Sequence, residues 1–96
     1  MQNGSHVHYH KDQNDCGTYH VRFNVMIQNA DIGGTSVYNN IAQSCKERQY
    51  ILCRSGLDYH YCSKIRSEKP RYTISFGFKI PKEDISKYPH IFGDII

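Results

Sequence analysis

Tyr19-His20-Val21-Arg22-Phe23-Asn24-Val25-Met26-Ile27 alternates between apolar and polar side chains as far as Val25. A β-strand turns successive side chains to opposite faces, so Tyr19, Val21, Phe23, Val25 and Ile27 share one face. His20, Arg22, Asn24 and Met26 share the other. Arg71-Tyr72-Thr73-Ile74-Ser75-Phe76-Gly77-Phe78-Lys79-Ile80 repeats the period, with Tyr72, Ile74, Phe76, Phe78 and Ile80 opposed to Arg71, Thr73, Ser75, Gly77 and Lys79. Two long strands, each with one apolar and one polar face, predict a sheet that packs on one side only. Their polar faces carry Arg, His, Asn and Thr rather than Lys and Glu, a composition that suits a wet cavity wall or a solvated outer face.

Shorter strands are expected outward from these two, at residues 6–10, 35–38, 49–54 and 59–65. Polar and Gly-rich turns separate them, among them Asn29-Ala30-Asp31-Ile32-Gly33-Gly34 and Arg54-Ser55-Gly56-Leu57-Asp58. Only residues 41–48 and a single turn around 82–87 suit a helix. Many short strands with almost no helix predict an all-β sandwich or barrel. The 96 residues suit one domain spanning 1–96.

Twelve Lys and Arg against nine Asp and Glu leave a net charge of +3, too little for a dedicated nucleic-acid arm. No apolar run approaches the roughly 20 residues of a membrane span, and no apolar leader is visible, so the expected compartment is the cytoplasm. Cys16, Cys45, Cys53 and Cys62 form no closely spaced pair of the kind zinc ribbons need, and reduced thiols are expected. The apolar end, Pro89-His90-Ile91-Phe92-Gly93-Asp94-Ile95-Ile96, is expected to pack on its own domain rather than on a second copy.

Candidate chemistry begins at His10-Lys11-Asp12. On an extended segment, side chains two apart project to the same side, so His10 and Asp12 can converge on one ion where strand gives way to loop. His60 offers a third ligand. Two histidines and one carboxylate form the facial triad that holds Fe(II) and leaves coordination positions open. Arg71 and Thr73 share a strand face further on, a guanidinium fork and a hydroxyl suited to a carboxylate. His8 competes with His10, because His8-x-His10 also lies on one face. A cupin-like barrel using His8, His10 and His60 is therefore the non-oxidative alternative, and an interaction module stapled by the cysteines is a third.

The ordered set His10-x-Asp12, Gly33-Gly34 before residues 35–38, His60, then Arg71-x-Thr73 resembles the Fe(II)- and 2-oxoglutarate-dependent oxygenases. The resemblance runs from about residue 6 to residue 80. It implies a double-stranded β-helix (jelly-roll or cupin-like) core with iron held by His10, Asp12 and His60. Arg71, helped by Thr73, would bind the distal carboxylate of 2-oxoglutarate, with Tyr19 as a further candidate contact. The implied activity consumes O2 and 2-oxoglutarate and hydroxylates or demethylates a second substrate. Arg22 and Asn24 are candidates for touching that substrate, which is a peptide, a nucleic acid or a small molecule. Members of the family carry helices outside the larger sheet. Few residues precede His10 here, so the bare sheet predicts a homo-oligomer or a covering partner.

Overall fold

A computed structural model describes residues 1–95 of the chain. Seven strands run through it: β1 (Val7–His10), β2 (Thr18–Gln28), β3 (Ser36–Tyr38), β4 (Ile41–Gln43), β5 (Tyr50–Cys53), β6 (His60–Cys62) and β7 (Tyr72–Pro81). They form two antiparallel sheets, a four-stranded one in the order β1-β6-β3-β4 and a three-stranded one in the order β5-β2-β7. The sheets face each other across a cavity without closing into a barrel, so the expectation of a β-rich sandwich holds at that level.

The alternation of the two long strands sets their pairing. Val21 lies opposite Phe78, Phe23 opposite Phe76 and Val25 opposite Ile74, which brings both apolar faces to the same side of the sheet. The polar faces, with Arg22 opposite Gly77 and Asn24 opposite Ser75, turn together toward the other sheet. Gly77 is required there, because a Cβ at that position would stand 2.9 Å from the His20 ring.

Part of the apolar outer face is covered from within the chain. A 3-10 turn, Lys82–Lys87, and a short helix α1, Pro89–Phe92, follow β7. They bring Phe92 to full burial beside Tyr19, with ring centroids 5.9 Å apart, and Arg54 pairs with Asp94. Phe92 of the apolar end thus packs on its own domain, whereas Ile95 is exposed and Ile96 lies outside the described residues. The remainder of the face, Ile27, Tyr50, Ile74, Phe76 and Phe78, stays about half exposed.

Residues 41–48 correct the helical expectation. Asn39 and Asn40 adopt positive φ, and this two-residue turn folds 41–43 back onto β3 as β4. Pairing with β3 outcompetes a short isolated helix, which would be marginal in water. All four cysteines are free, so no disulfide staples this fold, and burial pushes the Cys53 and Cys62 thiols upward. Among the described residues no helix is long and apolar enough to cross a membrane.

Candidate metal centre

A β-bulge decides which histidines reach the cavity. Val7 pairs with Cys62 and His10 with His60, so three steps along β1 match two along β6. Strict alternation would have placed His8 beside His10. The extra residue instead lets Val7 and His10 line the same cavity, while His8 lines a separate hollow on the outside of the sheet. A ligand set of His8, His10 and His60 is therefore not assembled.

His10, Asp12 and His60 do converge, with ligand atoms all within 4.8 Å of one another. Each histidine is oriented by its own backbone neighbourhood. His10 Nδ1 lies 2.7 Å from the His8 carbonyl and His60 Nδ1 lies 2.9 Å from the Asp58 carbonyl. A carbonyl oxygen only accepts, so each Nδ1–H donates, which leaves Nε2 of each ring pointing at Asp12. Those Nε2 atoms stand 3.2 Å and 3.5 Å from Asp12 Oδ1. Lone pairs of Nε2 and the carboxylate oxygen at that spacing repel unless a proton or a metal cation sits between them. Cis ligands about 2.1 Å from one ion stand roughly 3 Å apart, so the two spacings to Asp12 are compatible with a shared divalent ion, and the three residues could hold one.

The other carboxylate oxygen is committed elsewhere. Arg22 Nε donates to Asp12 Oδ2 at 3.0 Å and His20 Nδ1 lies 3.3 Å from it. Asp12 N–H donates to the Ser55 carbonyl at 2.8 Å, which pins the residue at the end of β1. Burial alone would raise the Asp12 pKa, but the Arg22 charge and hydrogen bond, the Ser55 hydroxyl and His60 together hold it below its ordinary 3.8. Asp12 is thus ionised, with Oδ2 engaged by Arg22 and Oδ1 turned toward His10 and His60. The loop behind it is locked by Asn14, which donates to the Gly56 carbonyl at 2.8 Å and accepts from His20 N–H at 2.9 Å.

Across the cavity lies Arg71, only 8% exposed. Its Nη2 donates to Ser36 Oγ at 2.9 Å, Nη1 faces the Met1 sulfur at 3.7 Å, and its buried Nε has no partner. Among the described residues no carboxylate pairs with it. The Gly33-Gly34 turn makes room for it: Gly34 has φ +69°, and a Cβ there would stand 3.0 Å from Arg71 Cδ. A buried guanidinium left without a counter-ion is costly, and a carboxylate ligand removes that cost. Thr73, Ser75, Asn24 and Ser36 line the same cavity of about 270 Å³, near the lower end of small-molecule sites at roughly 300 Å³.

Of the residues singled out from the sequence, His10, Asp12, His60, Arg71, Thr73, Arg22 and Asn24 all border this cavity. Tyr19 does not. It lies on the opposite face of β2, where it packs on Phe92, because without a bulge between them odd and even positions of a strand face opposite ways. Tyr38 stands in the cavity wall instead, stacked on the His60 ring at 4.7 Å and accepting a hydrogen bond from Asn24 at 3.3 Å. Burial, with Cys53 beside it, pushes the Tyr38 hydroxyl far upward, so it stays protonated. The signal for Tyr38 was its place two residues from Ser36 on one short strand.

Comparison with family models, with curated proteins and with solved structures found no match. The chemistry of the site is therefore argued from its geometry.

Proposed function

We propose that this chain is the catalytic core of an Fe(II)- and 2-oxoglutarate-dependent oxygenase, coupling oxidative decarboxylation of 2-oxoglutarate to hydroxylation or demethylation of a second substrate. One observation carries the reading: a buried guanidinium without a carboxylate partner shares one small cavity with a His-Asp-His group. A metal barrel without an anionic cosubstrate has no use for such a cation. Two antiparallel sheets facing across the site support a double-stranded β-helix.

In this reading His10, Asp12 and His60 hold the iron, which supplies the redox chemistry with O2 when bound. Arg71, with Thr73 on the same strand face, binds the distal carboxylate of 2-oxoglutarate. Arg22 and His20 keep Asp12 Oδ2 turned away, so that a single carboxylate oxygen faces the ion. Tyr38 fixes the His60 ring plane by stacking.

Isothermal titration of 2-oxoglutarate into protein loaded anaerobically with Fe(II), or with Mn(II) as a redox-silent substitute, tests the proposal. Saturable binding that is lost in both Asp12→Ala and Arg71→Ala is the expected result. Metal binding without 2-oxoglutarate binding would overturn the oxygenase reading and leave a non-oxidative metal-binding site.

A further inference from the structure

The strands that carry the metal ligands also carry an aromatic surface, one residue out of step. Tyr9 precedes His10, Lys11 separates His10 from Asp12, and Tyr59 and Tyr61 flank His60. The Tyr9 and Tyr59 rings lie nearly parallel, 11° apart with centroids at 5.1 Å, and Tyr61 leans toward Tyr9 at 6.4 Å. Lys11 Nζ sits 5.4 Å from the Tyr59 ring centre. Tyr9 is 58% exposed and Tyr59 48%, so this column is not a core element.

Two lysines, Lys11 and Lys64, border this surface. Beside the tyrosines, a hollow of about 470 Å³ is bordered by His6, His8 and Lys64 and by no acidic residue. The nearest carboxylates in sequence, Asp12 and Asp58, are engaged by Arg22 and Arg54. Flat aromatic rings beside unpaired cations match a ligand with flat bases and a phosphate backbone. A duplex hides its base faces, and an acidic peptide satisfies the lysines but makes no use of parallel rings.

We infer that the outer face of β1 and β6, led by Tyr9, Tyr59 and Lys11, binds single-stranded nucleic acid at the rim of the metal centre. The substrate class of the oxygenase is then a nucleic acid. That second step rests on the proposed oxygenase function, whereas the binding surface itself does not.

Fluorescence anisotropy with a fluorescein-labelled, mixed-sequence 12-nucleotide DNA or RNA strand, added to the Mn(II)-treated full chain, tests the surface. Saturable binding is expected. Tyr9→Ala and Tyr59→Ala should each weaken it about tenfold, and Tyr9→Phe should retain it because the ring is kept. Lys11→Ala should reduce the slope of log affinity against log salt by about 0.7.

Unchanged affinity in both alanine variants would overturn the inference, as would loss in Tyr9→Phe equal to that in Tyr9→Ala. Absence of binding, or competition by polyglutamate as effective as by unlabelled strand, would overturn it too. Asp12→Ala separates the two claims. Strand binding that survives while the parent fails to take up Mn(II) and 2-oxoglutarate sinks the oxygenase reading and supports the surface. Mn(II) and 2-oxoglutarate binding without strand binding sinks the surface alone.

Discussion

Replacing Arg71 by Met separates a residue kept for a ligand from one kept for the fold. The methionine preserves most of the stem that lies beside Gly34, and removes the charge. Folding loses one hydrogen bond, from Nη2 to Ser36 Oγ at 2.9 Å, which is about 1–1.5 kcal/mol. It also sheds an unpaired cation that is only 8% exposed and whose Nε has no partner, a cost of about 1–3 kcal/mol. The difference favours the variant by about 1 kcal/mol, or a rise of about 4–8 °C in the melting temperature of the metal-free protein. For 2-oxoglutarate the sign reverses. Truncating one side of a buried charge pair costs about 2–5 kcal/mol, or roughly 30- to 5,000-fold in affinity. Thermal melting by circular dichroism and calorimetric titration of the Mn(II)-loaded protein read the two quantities separately. A lower melting temperature with unchanged 2-oxoglutarate affinity would refute the reasoning, because Arg71 would then be a structural residue.

Gly56→Ala should destabilise the chain by about 2 kcal/mol in urea denaturation, since its Cβ would overlap Asn14 Oδ1 and break the bridge to His20. Mn(II) affinity should fall with it, because Ser55, next in the chain, anchors Asp12. The Asp12 carboxyl has a depressed pKa in the folded state, so its ion pair contributes stability above about pH 4 and loses it as the pH falls further. The metal-free melting temperature should therefore drop between pH 4 and pH 2, and Asp12→Asn should flatten that part of the profile. Phe76→Lys, on the half-exposed face of β7, should lower the fluorescence of a bound hydrophobic dye and change stability by no more than about 0.5 kcal/mol.

Strand positions were legible because period-2 patterning is a local property. Residues 19–27 and 71–80 could bury an apolar face only as extended chain; β2 takes in all of the first, and β7 all of the second except Arg71, which lies just before the strand. The same locality explains the failure at 41–48. Apolar and polar residues there fit a helical turn, and only a partner strand, supplied when Asn39 and Asn40 reverse the chain, makes β4 preferable. Tyr19 was misplaced for a different reason. Its own alternation put it on the apolar face, opposite Arg22 and Asn24, and a tyrosine on that face meets the packing of Phe92 rather than the cavity.

From the amino-acid sequence alone follow the β-rich class, the separation of each long strand into two faces, and the identities of His10, Asp12, His60 and Arg71 as residues of matched chemistry. Tertiary structure decided what those residues do to one another. The bulge in β1 excludes His8, since register depends on the partner strand and not on the strand itself. The division of Asp12 between two histidines on one oxygen and Arg22 with His20 on the other depends on β2 facing β1 and β6. Nor does any local pattern show that Arg71 is buried without a counter-ion. Burial and the absence of a nearby carboxylate are sums over the whole fold, and on them the proposed chemistry depends.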